Sequence, residues 1–435
     1  MKFFSKVKDI FSIEDLKVRI FNTVKFLVIF RIGSYIVLPG VDPSKLVKET
    51  SGIFGILNTF LGGAFSNASV FGLGVMPYIS SSIAVQLLTI VLPYFQRLQK
   101  DGHSGKKQLN MITKVLTIFM AMVQSIGYVS ATIPDDSLLI GRIFFTLSSI
   151  IVITAGTMSC MWLGDRINDK GIGNGISMLI MIGIVSSLPG ALIAEFISRG
   201  SRGILIVMIE LIALFFIVVA IVMFTQATRK IPIQYAKQIV SNVYSGQRQY
   251  IPLKLNATGV MPIIFSQTIM FIPVLISGMW VDKSSVAAYI RKNLTDITTW
   301  QYNLTFAVLI ILFTFFYTAI TINPVQMADD MKRNNGFIPG VKPGKSTADY
   351  IDDLLSNLTL PGSIFLAIIA ILPGFAHLFG VSHSFCKFYG GTSLLILVGV
   401  VLDILQQVEG FLLMHRYSGL SDYGRIQGRY QNTFS

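Results

Sequence analysis

Apolar stretches about as long as a bilayer is thick alternate with polar, positively charged connections along this chain of 435 residues. An α-helix needs about 20 consecutive apolar residues to cross the hydrocarbon core of a membrane. The pattern therefore predicts an all-α integral membrane protein with ten transmembrane helices. The predicted spans lie near residues 20–38, 72–92, 113–133, 141–163, 175–194, 203–224, 258–280, 304–323, 358–374 and 392–413.

One hexapeptide occurs twice, each time where a polar connection passes into an apolar stretch. GVMPYI at residues 74–79 returns as GVMPII at residues 259–264, and the two copies open the second and the seventh predicted span. Chance similarity is the alternative, because these residue types are common in such a chain, but the equivalent positions of the copies argue against it. An odd number of spans per half inverts the second half, so the repeat predicts two inverted halves of five helices.

The halves and their flanks divide the chain into four parts: an N-terminal segment (1–19), a first half (20–194), a second half (195–413) and a C-terminal tail (414–435). Of the 35 Lys and Arg residues, 24 fall on the face that carries both termini and 9 on the opposite face. Because Lys and Arg are retained in cytoplasmic loops, both termini are expected in the cytoplasm. The N-terminal segment lacks the apolar core of a cleavable signal peptide, so the first span is expected to remain as a true helix.

Composition agrees with a membrane location, since 52% of the residues are hydrophobic and only 13% are charged. A net charge of +13 could indicate a nucleic-acid-binding protein. The positive residues are, however, distributed over the membrane-flanking loops, where membrane topology and attraction to anionic lipid account for them. Two cytoplasmic loops, residues 225–257 and 324–357, are far longer than a helix connection requires and are suited to docking a partner. Alternating residues around Ser245 and Gly246 predict a β-hairpin in the first loop.

Motifs for catalysis, nucleotide binding and metal binding are not assembled in the sequence. GVKPGKS at residues 340–346 has three residues between its glycines, where a phosphate-binding loop needs four. GIGNG at residues 171–175 lacks the spacing of a dinucleotide-binding loop and is interpreted as a tight turn between two spans. The four histidines form no metal motif, and Cys160 and Cys386 are expected to be free thiols. We therefore expect neither an enzyme nor a cofactor.

Three charged residues fall inside or beside predicted spans, where ionisable groups are costly. For Arg31 in the first span, a structural hydrogen-bonding role facing the bundle is favoured over a role in transport. Glu195 is expected at the outer interface. Glu210 in the sixth span is either a satisfied buried acid or part of a proton path, and two isolated carboxylates make a weak relay.

Branched apolar residues recur where the two halves are predicted to meet. Some are four residues apart in one span and therefore share a helix face, and Ile264 is the equivalent of Ile79 under the repeat. A ring of such side chains would resist wetting and ions; ordinary helix packing is the alternative. The candidates are Val75, Ile79, Ile176, Ile180, Ile264 and Ile396.

The segment before the second span, residues 51–71, is apolar but contains Gly52, Gly55, Gly62 and Gly63. Such a segment is poorly suited to face lipid, so we expect it to re-enter the bundle as a short helix buried in protein. A mobile plug under the ring would fit. A helix that rests on the outer face of the membrane is the alternative.

A set of motifs, in this order, resembles the SecY family, whose members are central subunits of protein-conducting channels. The motifs include FRIGSYIVLPGVD at residues 30–42, GLGVMPYISSSIAVQLL at 72–88, GIGNGIS at 171–177, NPVQMADDMKRNNGFIPGVKPGKSTADYID at 323–352 and FYGGTSLLI at 388–396. The resemblance covers nearly the whole chain. It implies an hourglass-shaped channel that conducts unfolded preproteins across the bacterial cytoplasmic membrane.

The resemblance also implies roles for individual residues. The six branched residues would form a pore ring, and a lateral gate between spans 2 and 7 would release signal sequences and transmembrane segments into the lipid bilayer. A plug near residues 53–69 would close the outer funnel. Its candidate residues are Ile53, Phe54, Ile56, Leu57, Phe60, Leu61 and Phe65, and those of the gate are Ser80, Gln86, Gln124, Gln267 and Thr268.

Partners are implied in the same way. The two long loops would receive the SecA motor or a translating ribosome with its nascent chain, and SecE and SecG are the expected small membrane partners. Val75 and Lys342 depart from the usual family pattern of isoleucine in the ring and arginine at the loop tip; lysine keeps the charge but loses the planar fork. The candidate docking cations are Arg229, Lys230, Lys237, Arg248, Lys332, Arg333, Lys342 and Lys345.

Two classes of function are compatible with an inverted repeat in a membrane: a passive conduit for unfolded polypeptide driven by a partner, and a secondary transporter. A transporter needs polar coordination of its substrate at the interface between the repeats. This interface offers isoleucines instead. The sequence therefore favours the channel.

Overall fold

The computed structural model describes residues 13–46, 58–59, 61–199, 203–235, 249–256, 258–280, 296 and 298–423. Its helices are α1 (Glu14–Tyr35), α2 (Met76–Val91), α3 (Pro93–Lys100), α4 (Gly102–Thr132), α5 (Arg142–Lys170), α6 (Gly175–Arg199), α7 (Ile204–Gln226), α8 (Met261–Trp280), α9 (Trp300–Thr321), α10 (Pro324–Arg333), α11 (Lys345–Leu378), α12 (His383–Cys386) and α13 (Gly391–Tyr423). Its strands are β1 (Thr228–Tyr235), β2 (Gln249–Lys254) and β3 (Gly336–Phe337).

The predicted all-α membrane architecture is confirmed for the described residues. Each predicted span overlaps one long helix: α1, α2, α4, α5, α6, α7, α8, α9, α11 or α13. Within the described residues, seven helices are long and apolar enough to cross a membrane, or up to eight if α2 and α3, which are bent by 105° at a break, count as one span. The number of ten crossings stays a prediction.

The two copies of the hexapeptide have the same local structure. Gly74 and Gly259 have φ angles of +50° and +63°, and a helix begins two residues after each of them. Glycine adopts this left-handed conformation without the steric cost that a side chain carries. In each helix a buried serine hydroxyl donates to the proline carbonyl four residues earlier, at 2.8 Å in both copies: Ser81 to Pro77, and Ser266 to Pro262. The repeat is therefore structural, whereas the inversion of the halves stays a prediction.

The two long loops belong to one folded unit on one face of the bundle, which we call the sheet side. Strand β1 pairs with β2 in antiparallel fashion, with Ile231 opposite Ile251, and with β3 from the second loop on its other edge. The strands of the predicted hairpin are thus present, while its turn lies outside the described residues. Ile231, Ile338 and Ile351 join the strands and α11 in a shared apolar core.

Helix α6 connects the two halves. It packs against α5 of the first half and against α7, α12 and α13 of the second half. At its sheet-side end the GIGNG run forms the predicted tight loop: Gly173 has a φ of +83° and its N–H donates to Gln407 Oε1 of α13 at 2.9 Å. Thr23 of α1 accepts from the N–H of Ile172 in the same loop at 3.0 Å. The loop therefore ties both halves together.

An ion cluster ties the halves at the other end of α6. The guanidinium of Arg199 bonds to Glu195 Oε1 at 3.0 Å and to Glu210 Oε1 of α7 at 2.8 Å, and it also donates to the carbonyl of Gly380. Glu195 Oε2 accepts from the N–H of Ser382 at 3.0 Å. The side chain of Glu195 is fully buried in the protein, where these donors hold it, and its expected place at the outer interface stays a prediction. For Glu210, the pairing of Oε1 with Arg199 favours a buried structural acid over a proton path, although its Oε2 has no hydrogen-bond partner among the described residues.

The two cysteines are free thiols in the structure, as predicted. Cys160 lies on α5 and Cys386 on α12, and both are buried. Burial in an apolar environment disfavours the thiolate, which is the reactive form of cysteine. Neither thiol is therefore suited to react with reagents from water.

Replacing Arg199 by Met is expected to lower the free energy of unfolding by about 3 kcal/mol, because it leaves the buried carboxylates of Glu195 and Glu210 without their cation. The measurement is thermal unfolding in detergent micelles. Lys114→Met is the matched control, since its 2.7 Å pair with Asp165 is 45% and 42% exposed and exposed pairs contribute about 0–1 kcal/mol. Equal unfolding midpoints for the two variants would contradict the structural role of the cluster.

Candidate functional site

A small apolar cavity of about 50 Å³ lies between the two halves of the bundle. Helices α2, α4, α6, α8 and α13 and the segment before α2 all contribute to its wall. The repeat explains part of this arrangement, since the first turns of α2 and α8, which follow the two glycines, both face the cavity. The lining residues are Leu61, Phe65, Leu73, Val75, Met76, Ile79, Ser80, Gln124, Ile180, Ile264, Gln267, Thr268 and Ile396.

Five of the six predicted ring residues line this cavity, and Ile176 does not. Ile176 lies one turn nearer the sheet side than Ile180 and packs towards α5, where a Cβ on Gly164 would be 3.1 Å from its Cγ1. The close approach of α5 and α6 at this point turns the first turn of α6 away from the cavity. A shared helix face was therefore not enough to place both Ile176 and Ile180 at the small cavity.

A second, wider cavity of about 390 Å³ opens on the sheet side. Ile180, Ile264 and Ile396 line both cavities and therefore separate them. We call these three residues the partition. The wall of the second cavity is mixed, and its polar part includes Asn174, Ser177, Thr225, Lys254, Asn256, Asp403 and Gln406. Water can wet such a wall, whereas a constriction of branched apolar side chains resists wetting and ions.

The segment before α2 fills the small cavity from the side opposite the sheet. Leu61 and Phe65 are each 3% exposed and both line the cavity. Residues 58–59 are helical, and residues 61–68 form turns in which Gly62 and Gly63 have φ angles of +61° and +90°. The remainder of the expected short helix lies outside the described residues. The other predicted plug residues, Ile53, Phe54, Ile56, Leu57 and Phe60, lie outside the described residues.

Hydrogen bonds from three helices hold this segment. Arg31 Nη1 of α1 donates to the carbonyl of Gly62 at 3.0 Å, and Tyr128 Oη of α4 donates to the carbonyl of Phe65 at 2.7 Å. Ser187 Oγ of α6 lies 3.5 Å from the carbonyl of Thr59. The sequence analysis missed Tyr128; its only signal was a tyrosine within a predicted span, since a buried hydroxyl normally needs a partner.

Four of the five predicted gate residues meet at the same cavity. Ser80, Gln124, Gln267 and Thr268 all line it, and Gln124 Nε2 donates to Ser80 Oγ at 3.3 Å. Gln86 is absent from the wall, because it follows Ser80 by more than one helical turn along α2. The polar side chains of α2, α4 and α8 therefore form a neutral strip beside the branched residues.

The candidate docking cations that fall within the described residues lie on the folded unit at the sheet side. The tip of the second loop has glycines in the left-handed conformation on both sides of Lys342, with φ angles of +87° at Gly340 and +105° at Gly344. Val341 packs into the core of the unit while Lys342 is exposed. The other exposed cations of the set are Arg229, Lys230, Lys332, Arg333 and Lys345. Lys237 and Arg248 lie outside the described residues.

Known proteins resemble this chain in both sequence and fold. The protein translocase subunit SecY of Streptomyces scabiei is 40% identical over 433 residues, which cover 94% of this chain and 98% of the relative. The corresponding subunit of Halalkalibacterium halodurans is 39% identical over 96% of this chain and 99% of its own length.

Solved structures share the fold at lower sequence identity. One described as "The structure of a protein conducting channel" has a TM-score of 0.66 at 17% identity and covers 94% of this chain and 95% of its own. A channel in a canine ribosome-channel complex from the endoplasmic reticulum has a TM-score of 0.63 at 16% identity, with the same coverage. The sequence profile of SecY matches residues 69–405. The chain therefore belongs to the SecY family.

Proposed function

We propose that this chain is the channel subunit of a protein translocase, through which unfolded preproteins cross the cytoplasmic membrane. The observation that carries the proposal is the partition of Ile180, Ile264 and Ile396 between a narrow apolar cavity and a wide one with polar residues in its wall. Branched side chains on separate helices can move apart around an extended polypeptide and close again when it has left. A resting seal against ions follows from the same side chains, since they exclude water.

A secondary transporter is the alternative, and the wall of the small cavity argues against it. Transporters of this architecture coordinate their substrates with half-helix ends and unwound backbone at the midplane. Here the polar groups on the wall are the neutral side chains of Ser80, Gln124, Gln267 and Thr268, of which the first two are hydrogen-bonded to each other. A wall of this kind suits apolar segments of varied sequence better than one small polar solute.

The lateral gate is proposed between α2 and α8, flanked by α4 and α9. The halves pack closely on the side of α6, through α7, α12 and α13, and the ties at both ends of α6 lie there. On the opposite side α4 and α8 touch at few places. A rotation about α6 would therefore separate α2 from α8 and expose the cavity to lipid.

The plug is proposed to comprise residues 53–69, and Leu61 and Phe65 support this because they fill the small cavity. The proposed orientation places the sheet side and both termini in the cytoplasm, in agreement with the positive residues on that face. The proposed partners are SecA or a ribosome with its nascent chain at the sheet side, and SecE and SecG in the membrane. The solved ribosome-channel complex with this fold supports the ribosome as a partner.

Replacing Ile79 and Ile180 together by Asn should make the resting channel leak ions. Amide side chains hydrate the constriction, and each 1.4 kcal/mol removed from a dewetting barrier raises water occupancy tenfold. The measurement is ion conductance of the idle channel in planar bilayers, where we expect a rise of about tenfold or more. The control is Ile79→Leu with Ile180→Leu, which keeps the surface apolar; unchanged conductance in the Asn variant would count against the seal.

Cysteines introduced by Ser80→Cys and Thr268→Cys should be joined by a short bifunctional maleimide, because both positions line the same cavity from different helices. The cross-link is expected to block export of a secreted precursor into membrane vesicles. Gln86→Cys with Thr268→Cys is the matched control, since Gln86 lies off the cavity. Normal export through fully cross-linked channels would refute the gate between α2 and α8.

The charge reversal Lys342→Glu should reduce partner-driven export about tenfold, because it places like charges opposite each other across the docking interface. Lys342→Arg keeps the charge and should be tolerated. Export driven by SecA and export driven by ribosomes are assayed separately, and idle conductance should not change in either variant. Normal export of Lys342→Glu by both routes would assign docking to the first loop, residues 225–257, instead.

A further inference from the structure

Arg31 is a cation in a part of α1 whose exposed neighbours, Val28, Ile29 and Ile32, are apolar. Its position is a little over one turn from the end of α1. Beside it, an apolar groove of about 370 Å³ runs between α1 and α6, with Val28, Ile32 and Ile182 in its wall. A cation in such surroundings is costly unless its donors find acceptors.

The guanidinium has two acceptors among the described residues. Nη1 donates to the carbonyl of Gly62 at 3.0 Å, and Nη2 donates to the hydroxyl of Tyr35 at 3.1 Å. The guanidinium carbon also lies 5.2 Å from the centre of the Tyr35 ring, within the range of a cation–π contact. Tyr35 thus orients the guanidinium on α1, and Gly62 is the point where it reaches another segment.

Gly62 fits a slot that admits no side chain. A Cβ there would lie 2.3 Å from Nη1 of Arg31, 2.6 Å from Oγ of Ser186 and 3.0 Å from Cα of Gly183. Its φ of +61° is also one that residues with side chains rarely adopt. The contact therefore depends on close approach of the backbone of the segment to α1 and α6.

The bonded carbonyls are next to the side chains that fill the small cavity. Gly62 follows Leu61 directly, and the second strong bond, from Tyr128, ends on the carbonyl of Phe65 itself. Arg31 and Tyr128 both belong to the first half of the chain. Moving Leu61 and Phe65 out of the cavity requires these bonds to break, whereas a rotation of the second half does not.

We propose that Arg31 is a positioning residue that holds the plug closed through its charged hydrogen bond to the carbonyl of Gly62. This inference rests on the proposed plug. Arg31 then does more than stabilise the bundle, which is the role that the sequence favoured. It also determines the fraction of channels whose plug is displaced. Loss of a hydrogen bond to a charged group should change that fraction about tenfold or more.

The test uses the full channel complex as purified from membranes and measures idle ion conductance in planar bilayers. Arg31→Gln should raise conductance about tenfold, and Arg31→Lys should raise it less, because lysine keeps the charge but lacks the fork that reaches both Gly62 and Tyr35. Lys25→Gln on the exposed face of the same helix is the control and should leave conductance unchanged. Gly62→Ala disrupts the same hydrogen bond from the side of the plug. It is the substitute test if the Arg31→Gln protein does not accumulate.

Deletion of residues 53–69 separates the inference from the proposed plug. The deletion alone should raise conductance, and Arg31→Gln should add nothing in the deleted channel, since the group it holds is gone. If the deletion raises conductance and Arg31→Gln does not, or if Arg31→Gln has the same effect with and without the segment, the inference is overturned while the plug stands. If the deletion has no effect on conductance, the proposed plug and the inference both fail.

Discussion

In the proposed channel, exclusion of water by Ile180, Ile264 and Ile396 is the interaction on which closure depends. These side chains separate a small apolar cavity from a wide one that has polar residues in its wall and opens on the sheet side. The three isoleucines belong to α6, α8 and α13, so the seal exists only while these helices keep their positions. A path wide enough for a polypeptide must close again after each passage if the membrane is to stay ion-tight. Apolar side chains can do this, because their closure involves neither a covalent bond nor an ion pair in the constriction.

Polar and charged groups in the bundle act as ties between segments rather than as a binding site. The lipid core supplies no hydrogen-bond partners, so a buried donor or acceptor is costly unless the protein itself provides its partner. Arg199 joins α6 to α7 and to the segment before α12, and the N–H of Gly173 joins the other end of α6 to α13. Arg31 and Tyr128 hold the segment that fills the cavity. The ties lie along α6 and around the segment before α2. Among the described residues, the polar strip beside α2 and α8 has one hydrogen bond between helices, from Gln124 to Ser80.

Much of the architecture followed from the sequence because spanning length and repeats are one-dimensional signals. The apolar stretches located the long helices, and the two hexapeptides located α2 and α8 at the cavity. Helical spacing did not reveal that α5 approaches α6 closely at Ile176, whose side chain therefore does not line the small cavity. Nor did it show that β3 joins the two long loops in one sheet, or that Arg31 and Tyr128 meet carbonyls 31 and 63 residues away along the chain. Such contacts depend on tertiary packing, which no local pattern records.

Accessibility of single cysteines to a membrane-impermeant thiol reagent tests the partition most directly. The native thiols are buried, so cysteines introduced by Ser177→Cys and by Gln267→Cys report on the wide and the small cavity respectively. With the reagent added from the sheet side of the idle channel, the account predicts rapid labelling at position 177 and little at position 267. Equal labelling rates at the two positions would mean that water passes Ile180, Ile264 and Ile396, and would contradict the seal.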